Sequence, residues 1–202
     1  MRRILLGALL VTVMTGRSFA KPLRAYCDVV LAKATIEDAD SVLSLTIKFD
    51  SCETNSKRFL VEHDSVLFSW IIHESGYPAL ELTNRISKPM FIVWDSSSAI
   101  NTRGFLLEVL GETFDAHLKA DPTKIKPGKS FRTGFMSITR RDKFSGYYDP
   151  ILPGEADFSR DEEVQKALAF KGRYFKYVIA VDRGDRLDRY TFTFVIRDAV
   201  VR

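Results

Sequence analysis

The 202-residue sequence predicts an all-β protein, an antiparallel β-sandwich with one short helix. Three observations lead to this fold class. Short segments in which apolar and polar residues alternate recur along the chain, turn-forming residues separate them at regular spacing, and a single segment has a helical pattern. A closed antiparallel β-barrel is the alternative architecture, because alternation alone does not distinguish a barrel from a sandwich.

Residues 1–20 have the three-part layout of a secretory signal peptide. A basic start at Arg2 precedes the apolar run Ile4–Met14, and small residues lead to a cleavage site after Ala20. The run of about eleven residues is too short to span a bilayer, which needs about 20. We therefore expect export, with the periplasm, the outer membrane and the extracellular space as open destinations. Residues 21–202 are expected to form a single β-sandwich domain, since 46% of the chain is apolar, enough for one core.

The formal net charge of +4 is largely a property of the predicted signal peptide. The chain has 30 basic and 26 acidic residues, and Arg2, Arg3 and Arg17 lie in the segment to be removed. The exported chain would then carry 27 basic and 26 acidic residues. This balance gives no support for a nucleic-acid partner, which would require a basic face.

The two cysteines fall in register with the first predicted hairpin. Apolar residues alternate with polar ones in Val42–Phe49 and in Val30–Ile36, and a turn follows at Asp38. A hairpin in which paired residue numbers sum to 79 brings the two apolar faces together and also places Cys27 opposite Cys52. An exported chain meets an oxidising compartment, so we predict a disulfide that contributes about 3 kcal/mol. A redox pair or metal site is the less favoured alternative, because both normally need closer cysteine spacing.

The middle of the chain contains further predicted strands. Alternation or apolar runs place them at residues 68–73, 80–84, 90–94, 105–110 and 131–138. The run at 90–94 is apolar at both its odd-numbered and its even-numbered positions, which predicts a central strand covered on both faces. The segments at 121–129 and 149–155 contain proline and glycine and are predicted to be loops.

The C-terminal strands form the clearest predicted pair. Aromatic and β-branched residues alternate in Phe175–Val181 and in Tyr190–Ile196. Pairing them about a sum of 371 sets Phe175 on Ile196, with Arg183–Asp188 as the connecting loop.

One segment, Asp161–Phe170, has a helical pattern. Ser159 is the predicted N-cap, acidic residues fill the first turn, and Val164 and Leu168 share one face. Gly172 is expected to end the helix.

No residue pattern indicates a catalytic site, a metal or a cofactor, so we predict a protein without enzymatic activity. The three histidines, His63, His73 and His117, lack metal-ligand spacing. Residues 126–130 contain Gly-Lys-Ser but lack the upstream glycine of a phosphate loop, and they are interpreted as a turn entering a strand. The triplet at residues 183–185 matches the integrin-recognition tripeptide, but ordinary turn chemistry explains it better. An exported hydrolase that uses paired carboxylates stays open at this stage.

Three aromatic residues without a strand register are the candidate partner contact. Phe144, Tyr147 and Tyr148 lie close together in a segment rich in turn formers. Aromatic side chains on loops often anchor a protein partner. Alternatively, they fold back over an open end of the sandwich.

Residues 80–104 carry a resemblance to a known group of proteins. Its elements are Asn84 before a turn, Lys88-Pro89 after it, then Ile92, Trp94-Asp95, Ser97-Ser98, Ile100 and Gly104. The pattern resembles a loose group of bacterial envelope proteins and lipoproteins, in which a later proline-containing turn opens another strand, as Pro127-Gly128 does here. The resemblance implies an immunoglobulin-like sandwich without assigned enzymatic activity. It does not extend to lipid attachment, because no cysteine stands at the predicted cleavage site.

These observations lead to a functional expectation. We predict an exported, non-enzymatic protein-binding domain, an accessory or structural subunit of a bacterial envelope or secretion assembly. Its partners would be other envelope proteins, bound at sheet edges that accept an added strand, and no transmembrane segment would remain after signal cleavage. The alternative is a periplasmic carrier of a small molecule or lipid, with a cavity inside a β-barrel.

Overall fold

The computed structural model of the protein describes residues 25–38, 41–51, 56–73, 78–110, 121–134, 136–138 and 161–201. The predicted signal peptide lies outside these ranges, so it stays a prediction. Within them the strands, in chain order, are β1 (Ala25–Asp38), β2 (Ser41–Ser44), β3 (Ile47–Ser51), β4 (Ser56–His63), β5 (Val66–His73), β6 (Ala79–Asn84), β7 (Met90–Ile92), β8 (Ser98–Ile100), β9 (Leu106–Leu110), β10 (Thr123–Ile125), β11 (Ser130–Gly134), β12 (Met136–Ile138), β13 (Tyr174–Asp182) and β14 (Leu187–Val201).

These strands form two antiparallel sheets, which confirms the predicted all-β sandwich. The first sheet has nine strands with the order β12-β9-β8-β13-β14-β1-β2, and β7 and β10 attach beside β8 on the edge of β13. The second sheet has five strands in the order β11-β6-β5-β4-β3. Both sheets keep terminal strands among the described residues, so the chain does not close into the alternative barrel.

The predicted helix is present as α1 (Asp161–Leu168) and packs Ala167 against Val201 of β14. The chain leaves it through Gly172, whose φ of +80° lies in the left-handed region that glycine tolerates best. A single 3₁₀ turn covers Trp94–Ser96. Within the described ranges, no helix has the length and apolar character needed to cross a membrane.

The space between the sheets is filled by aromatic side chains. Trp70 of β5 stacks on Tyr177 of β13, with ring centroids 5.1 Å apart, and meets Phe192 and Phe194 of β14 at 5.2 and 5.1 Å. All four are fully buried. Large rings at these offset and edge-to-face distances hold the two sheets together through both apolar burial and ring contacts.

The predicted register of the first hairpin is confirmed only for the residues next to its turn. Thr35 pairs with Ser44 and Asp38 with Ser41, which are pairs of sum 79, and the N–H of Leu45 donates to the carbonyl of Ala34. The predicted strand then divides. After Leu45 the chain crosses to the second sheet, where β3 pairs with β4. The prediction of one continuous strand over residues 42–49 was therefore wrong.

A β-bulge also reverses the predicted face of β1. The pairing with β14 skips Ala32, so Val29 and Leu31 point inward before the bulge and Ala34 and Ile36 after it. An extra residue in one strand shifts the parity of every side chain beyond it. For this reason Val30 does not share the face of Ala34.

The C-terminal pair has the predicted faces but another register. Phe175 lies opposite Phe194 and Asp182 opposite Leu187, a sum of 369 rather than 371. A shift of two residues leaves every side chain on its own face, so alternation does not detect it. The turn decides the register: the N–H of Gly184 donates to Oδ1 of Asp182, and the N–H of Arg183 donates to the carbonyl of Arg186.

The other predicted strands are present with changed bounds. The run at 90–94 yields only the short β7, which is half exposed at Phe91 rather than covered on both sides. The run at 131–138 divides into β11 and β12. Three strands, β4, β8 and β10, were not predicted. The last of them lies inside the predicted 121–129 loop.

Candidate functional site

The main candidate site is an open side of the sandwich where both sheets end. One edge of β1 is paired with β14 along its length, from Ala25 to Glu37. The other edge carries β2 only from Thr35 to Asp38. Below the bulge at Ala32, the segment Cys27–Leu31 has no ladder partner on that edge among the described strands. Because β3 is the terminal strand of the second sheet as described and follows β2 directly, its outer edge and the open edge of β1 lie on the same side. We call this side the seam.

The seam exposes apolar side chains. Val42 and Leu43 of β2 are 64% and 46% exposed, and Phe49 of β3 is 63% exposed. The sequence pattern places Leu43 and Phe49 on the buried face together with Leu45 and Ile47, but only Leu45 and Ile47 reach the core. β2 also lacks the charged side chains with which edge strands usually block the addition of another strand.

Ion pairs connect the two sheets beside the seam. The carboxylate of Asp28 on β1 pairs with the ammonium of Lys57 on β4 and with Arg197 of β14, whose Nη2 lies 3.0 Å away. Lys57 in turn lies opposite Ser51, the last residue of β3. The end of β3 is therefore held close to Asp28, the neighbour of Cys27.

Cys27 is a buried free thiol on the inner face of β1, opposite Ala199. Burial raises the pKa of this thiol to about 11. Cys52 lies outside the described residues, so the disulfide stays a prediction. The predicted hairpin register does not support this bond, because the ladder of residue pairs whose numbers sum to 79 ends at Leu45.

A second cluster of functional groups joins two hairpin turns at one end of the sandwich. Nε of Arg183 lies 2.8 Å from Oδ2 of Asp188, and Nε of Arg186 lies 2.9 Å from Oδ1 of the same carboxylate. Both guanidinium groups also reach Oδ2 of Asp64 in the β4–β5 turn, at 3.1 and 2.8 Å. The hydroxyl of Tyr190 donates to Asp188 at 3.3 Å. We call this cluster the arginine clamp, since it links the turn of one sheet to the turn of the other.

The clamp shifts the pKa values of its members. The hydrogen bond from Arg183 lowers the pKa of Asp64 below its usual range. Burial, followed by the charge of Asp188, raises the pKa of Tyr190. An open depression of about 330 Å³ lies above the clamp, and Lys88 and Asp185 also line it. With two carboxylates neutralised by two guanidinium groups, the arrangement holds the turns together and offers no activated nucleophile.

The clamp also explains the integrin-type triplet. The side chain of Arg183 is only 9% exposed and is committed to Asp64 and Asp188. A recognition arginine must project from the turn, so the triplet acts here as turn chemistry. No local sequence pattern indicates the clamp, because Asp64 and Arg183 are far apart in the chain.

The residues that carry the family resemblance have internal roles in the structure. The fully buried Asn84 donates through Nδ2 to the carbonyls of Lys88 and Ile125 and accepts from the N–H of Ile86. The hydroxyl of Ser97 donates to the carbonyl of Val93 and accepts from the N–H of Ala180 on β13. This hydroxyl bridges the gap between β7 and β8 that the 3₁₀ turn creates.

The predicted aromatic contact of Phe144, Tyr147 and Tyr148 lies outside the described residues, as does His117. His63 lies 3.3 Å from the hydroxyl of Tyr190, at the margin of the clamp. In the described part of the chain, no three histidine, cysteine, aspartate or glutamate residues are grouped so as to hold a metal ion.

The fold and the seam define an all-β sandwich with exposed strand edges. No protein-family model, curated protein or solved structure matches the chain.

Proposed function

We propose that this protein is a non-enzymatic protein-binding domain that accepts an extended segment of a partner at the seam. The observation that carries the proposal is the edge of β1 from Cys27 to Leu31, which has no ladder partner among the described strands, next to the edge of β3, which likewise has none among them. Backbone N–H and C=O groups on such an edge supply affinity for an added strand, and the neighbouring side chains supply specificity.

The exposed apolar side chains at the seam support the same proposal. Leu43 and Phe49 would be covered by a partner strand in which apolar residues alternate. Five open residues of β1 correspond to about 16 Å of strand, which suits a partner segment of about five residues. The partner class is another envelope protein, and the chain would act as an accessory or structural subunit of an envelope or secretion assembly. The predicted export signal and the family resemblance motivate that placement.

The carrier alternative is not proposed. It requires a cavity inside a barrel, whereas the described strands form a sandwich with Trp70, Tyr177 and Phe194 packed between the sheets. The described depression is polar and lies at the surface above the arginine clamp. No observation at that depression favours an apolar ligand.

Site-specific photo-crosslinking in intact cells tests the proposal. A crosslinking side chain at Phe49 or Val42 should capture one defined envelope protein. The same group at Lys166, exposed on α1, should not capture it. Absence of a seam-specific product, with folded protein present, would contradict the proposal.

A charged side chain at the seam provides a second test. Phe49→Lys should abolish the crosslink from Val42, because a lysine on an edge strand opposes strand addition. Ser130→Lys is the matched control, since Ser130 is exposed on β11, the terminal strand of the second sheet at the edge opposite β3. Capture that survives Phe49→Lys unchanged would place the contact elsewhere.

A further inference from the structure

The terminal strand β3 of the second sheet carries a charge pattern that is complementary to itself. Its outer edge has no ladder partner among the described strands. Its three central residues are Lys48, Phe49 and Asp50, so that an aromatic ring stands between a cation and an anion, and all three are exposed. Reading the strand from its other end exchanges the two charges. A second copy of β3 laid antiparallel to the first therefore presents the opposite charge at each charged position.

The side chains of β3 alternate between the two faces of the sheet. Phe49 lies opposite Phe59 of β4 on the core-facing side, with ring centroids 5.5 Å apart, yet it is 63% exposed because it stands at the edge. Lys48 and Asp50, one position to either side, lie on the outer face. The edge thus has an apolar ring to cover on its inner face and two charges to match on its outer face.

Neither charge of β3 is engaged in an ion pair within the described part of the chain. Arg58 lies directly opposite Asp50 on β4, but its Nε is buried and has no hydrogen-bond partner among the described residues. Charged side chains on an edge strand usually oppose the addition of another strand, because they stay unpaired or meet a like charge. A strand with the reverse order of charges avoids this repulsion.

We propose that two copies of the protein pair through their β3 edges to form a two-fold symmetric dimer. The axis passes at Phe49, which lies opposite Phe49 of the second copy, and Lys48 of each chain lies opposite Asp50 of the other. A two-fold interface requires a self-complementary surface of this kind. The pairing covers both exposed rings as an aromatic cross-strand pair and adds two cross-strand pairs of opposite charge. Each Asp50 then lies between Arg58 of its own chain and Lys48 of the second copy.

The dimer goes beyond the proposed function and bears on how the seam is regulated. Pairing through β3 covers an edge that would otherwise be open to unspecific strand addition. The proposed partner site begins at the edge of β1, from Cys27 to Leu31, which this pairing does not use. A partner strand that covers Phe49 must displace the second copy, so we expect the partner-bound protein to be monomeric.

Sedimentation equilibrium of the protein, purified as cells process it, measures the pairing. Only the short strand β3 of each copy takes part, and small interfaces are typical of weak, reversible complexes. We therefore expect a dimer with a dissociation constant of about 10–100 µM. Raising the salt concentration should weaken the dimer, because salt screens exposed charge pairs. A folded protein that stays monomeric up to about 1 mM would overturn the proposal.

Three charge variants separate this register from any other association. Lys48→Asp opposes two carboxylates at both charged positions of the interface, and Asp50→Lys opposes two ammonium groups there. Each change should therefore raise the dissociation constant by about tenfold or more. An equimolar mixture of the two single variants should associate again, because every opposed pair then has opposite signs. The double variant, Lys48→Asp with Asp50→Lys, is again self-complementary and should also dimerise.

Ser130→Asp is the matched control, because Ser130 is exposed on β11, at the opposite edge of the same sheet, and should leave the dissociation constant unchanged. Circular dichroism confirms that each variant is folded. Single variants that dimerise like the native chain would overturn the proposal, as would a mixture that associates no better than either variant alone. These results leave the seam untouched, because its test is the capture of an envelope protein from Val42 in cells. A dimer through β3 without such capture would contradict the proposed function alone.

Discussion

Arg183 and Asp188 form a buried ion pair between the two ends of one hairpin turn. Their side chains are 9% and 6% exposed, and Nε of Arg183 lies 2.8 Å from Oδ2 of Asp188. Arg183 also donates to the backbone carbonyl of Asp64, at 3.2 Å, in the turn of the opposite sheet. The pair therefore sets the geometry of the β13–β14 turn and anchors it to the β4–β5 turn.

Replacing Arg183 tests how much this ion pair contributes to the free energy of unfolding. Arg183→Met should lower the free energy of unfolding by about 3 kcal/mol, because it leaves the buried carboxylate of Asp188 undercompensated. Urea unfolding measures the change. Arg186→Met is the matched control: Arg186 is 45% exposed, so its loss should cost about 1 kcal/mol or less. Equal effects of the two substitutions would contradict the buried role of Arg183.

The shifted pKa of Asp64 predicts a pH dependence. The hydrogen bond from Arg183 lowers the pKa of this carboxyl in the folded state, so the folded chain binds its proton less readily than the unfolded chain. The resulting stabilisation is complete above the unfolded value of about 3.9 and is lost as the pH falls through the folded pKa. Unfolding curves of the native chain and of Asp64→Asn should therefore converge as the pH drops below about 4. A difference that stays constant with pH would contradict the assignment.

In β5 and in the C-terminal strand pair, local patterns predicted which residues face the core, but they did not predict the register. Phe68 and Trp70 both point into the core, as their alternation predicts, because every second side chain of a strand lies on the same face of its sheet. Pairing Phe175 with Ile196 instead of Phe194 keeps every face correct, so only the turn chemistry around Gly184 distinguishes the two registers. The alternation of apolar and polar residues is the same after the register shifts by two residues, so it does not distinguish the two registers.

The candidate sites depended on information that the sequence pattern does not carry. Leu43 and Phe49 lie on the apolar face of the alternating segment, and their exposure follows from the crossing of the chain between sheets after Leu45. The ion pairs of Asp64 join residues that are distant in the chain. By contrast, the helix was predicted well, at Asp161–Phe170 against the observed Asp161–Leu168, because its apolar face and the glycine that follows it are local features. The predicted N-cap Ser159 lies outside the described residues.

The buried amide of Asn84 leads to a third prediction. Asn84→Asp keeps an acceptor for the N–H of Ile86 but loses the two donors to Lys88 and Ile125, and it places a charge in a fully buried position. We expect a loss of about 3 kcal/mol or more in urea unfolding. Asn84→Ala should cost about 2 kcal/mol, since it leaves unpaired groups without adding a charge. An aspartate variant as stable as the native chain would contradict this account.

The last prediction concerns Cys27, whose surroundings give the disulfide a new structural basis. Asp28 pairs with Lys57, and Lys57 lies opposite Ser51, the residue that precedes Cys52 in the sequence. This chain of contacts holds the end of β3 beside β1, although no ladder joins the two strands. A bond between the cysteines would then close one end of the seam.

In an oxidising compartment we therefore expect the two cysteines to be joined. Replacing both with serine should lower the free energy of unfolding by about 2–4 kcal/mol, because the bond restricts the unfolded chain. The reduced native chain should unfold close to the double variant. The test is alkylation of the exported protein after denaturation without a reductant, followed by mass spectrometry. Labelling at both Cys27 and Cys52 would refute the bond, whereas labelling only after reduction would establish it.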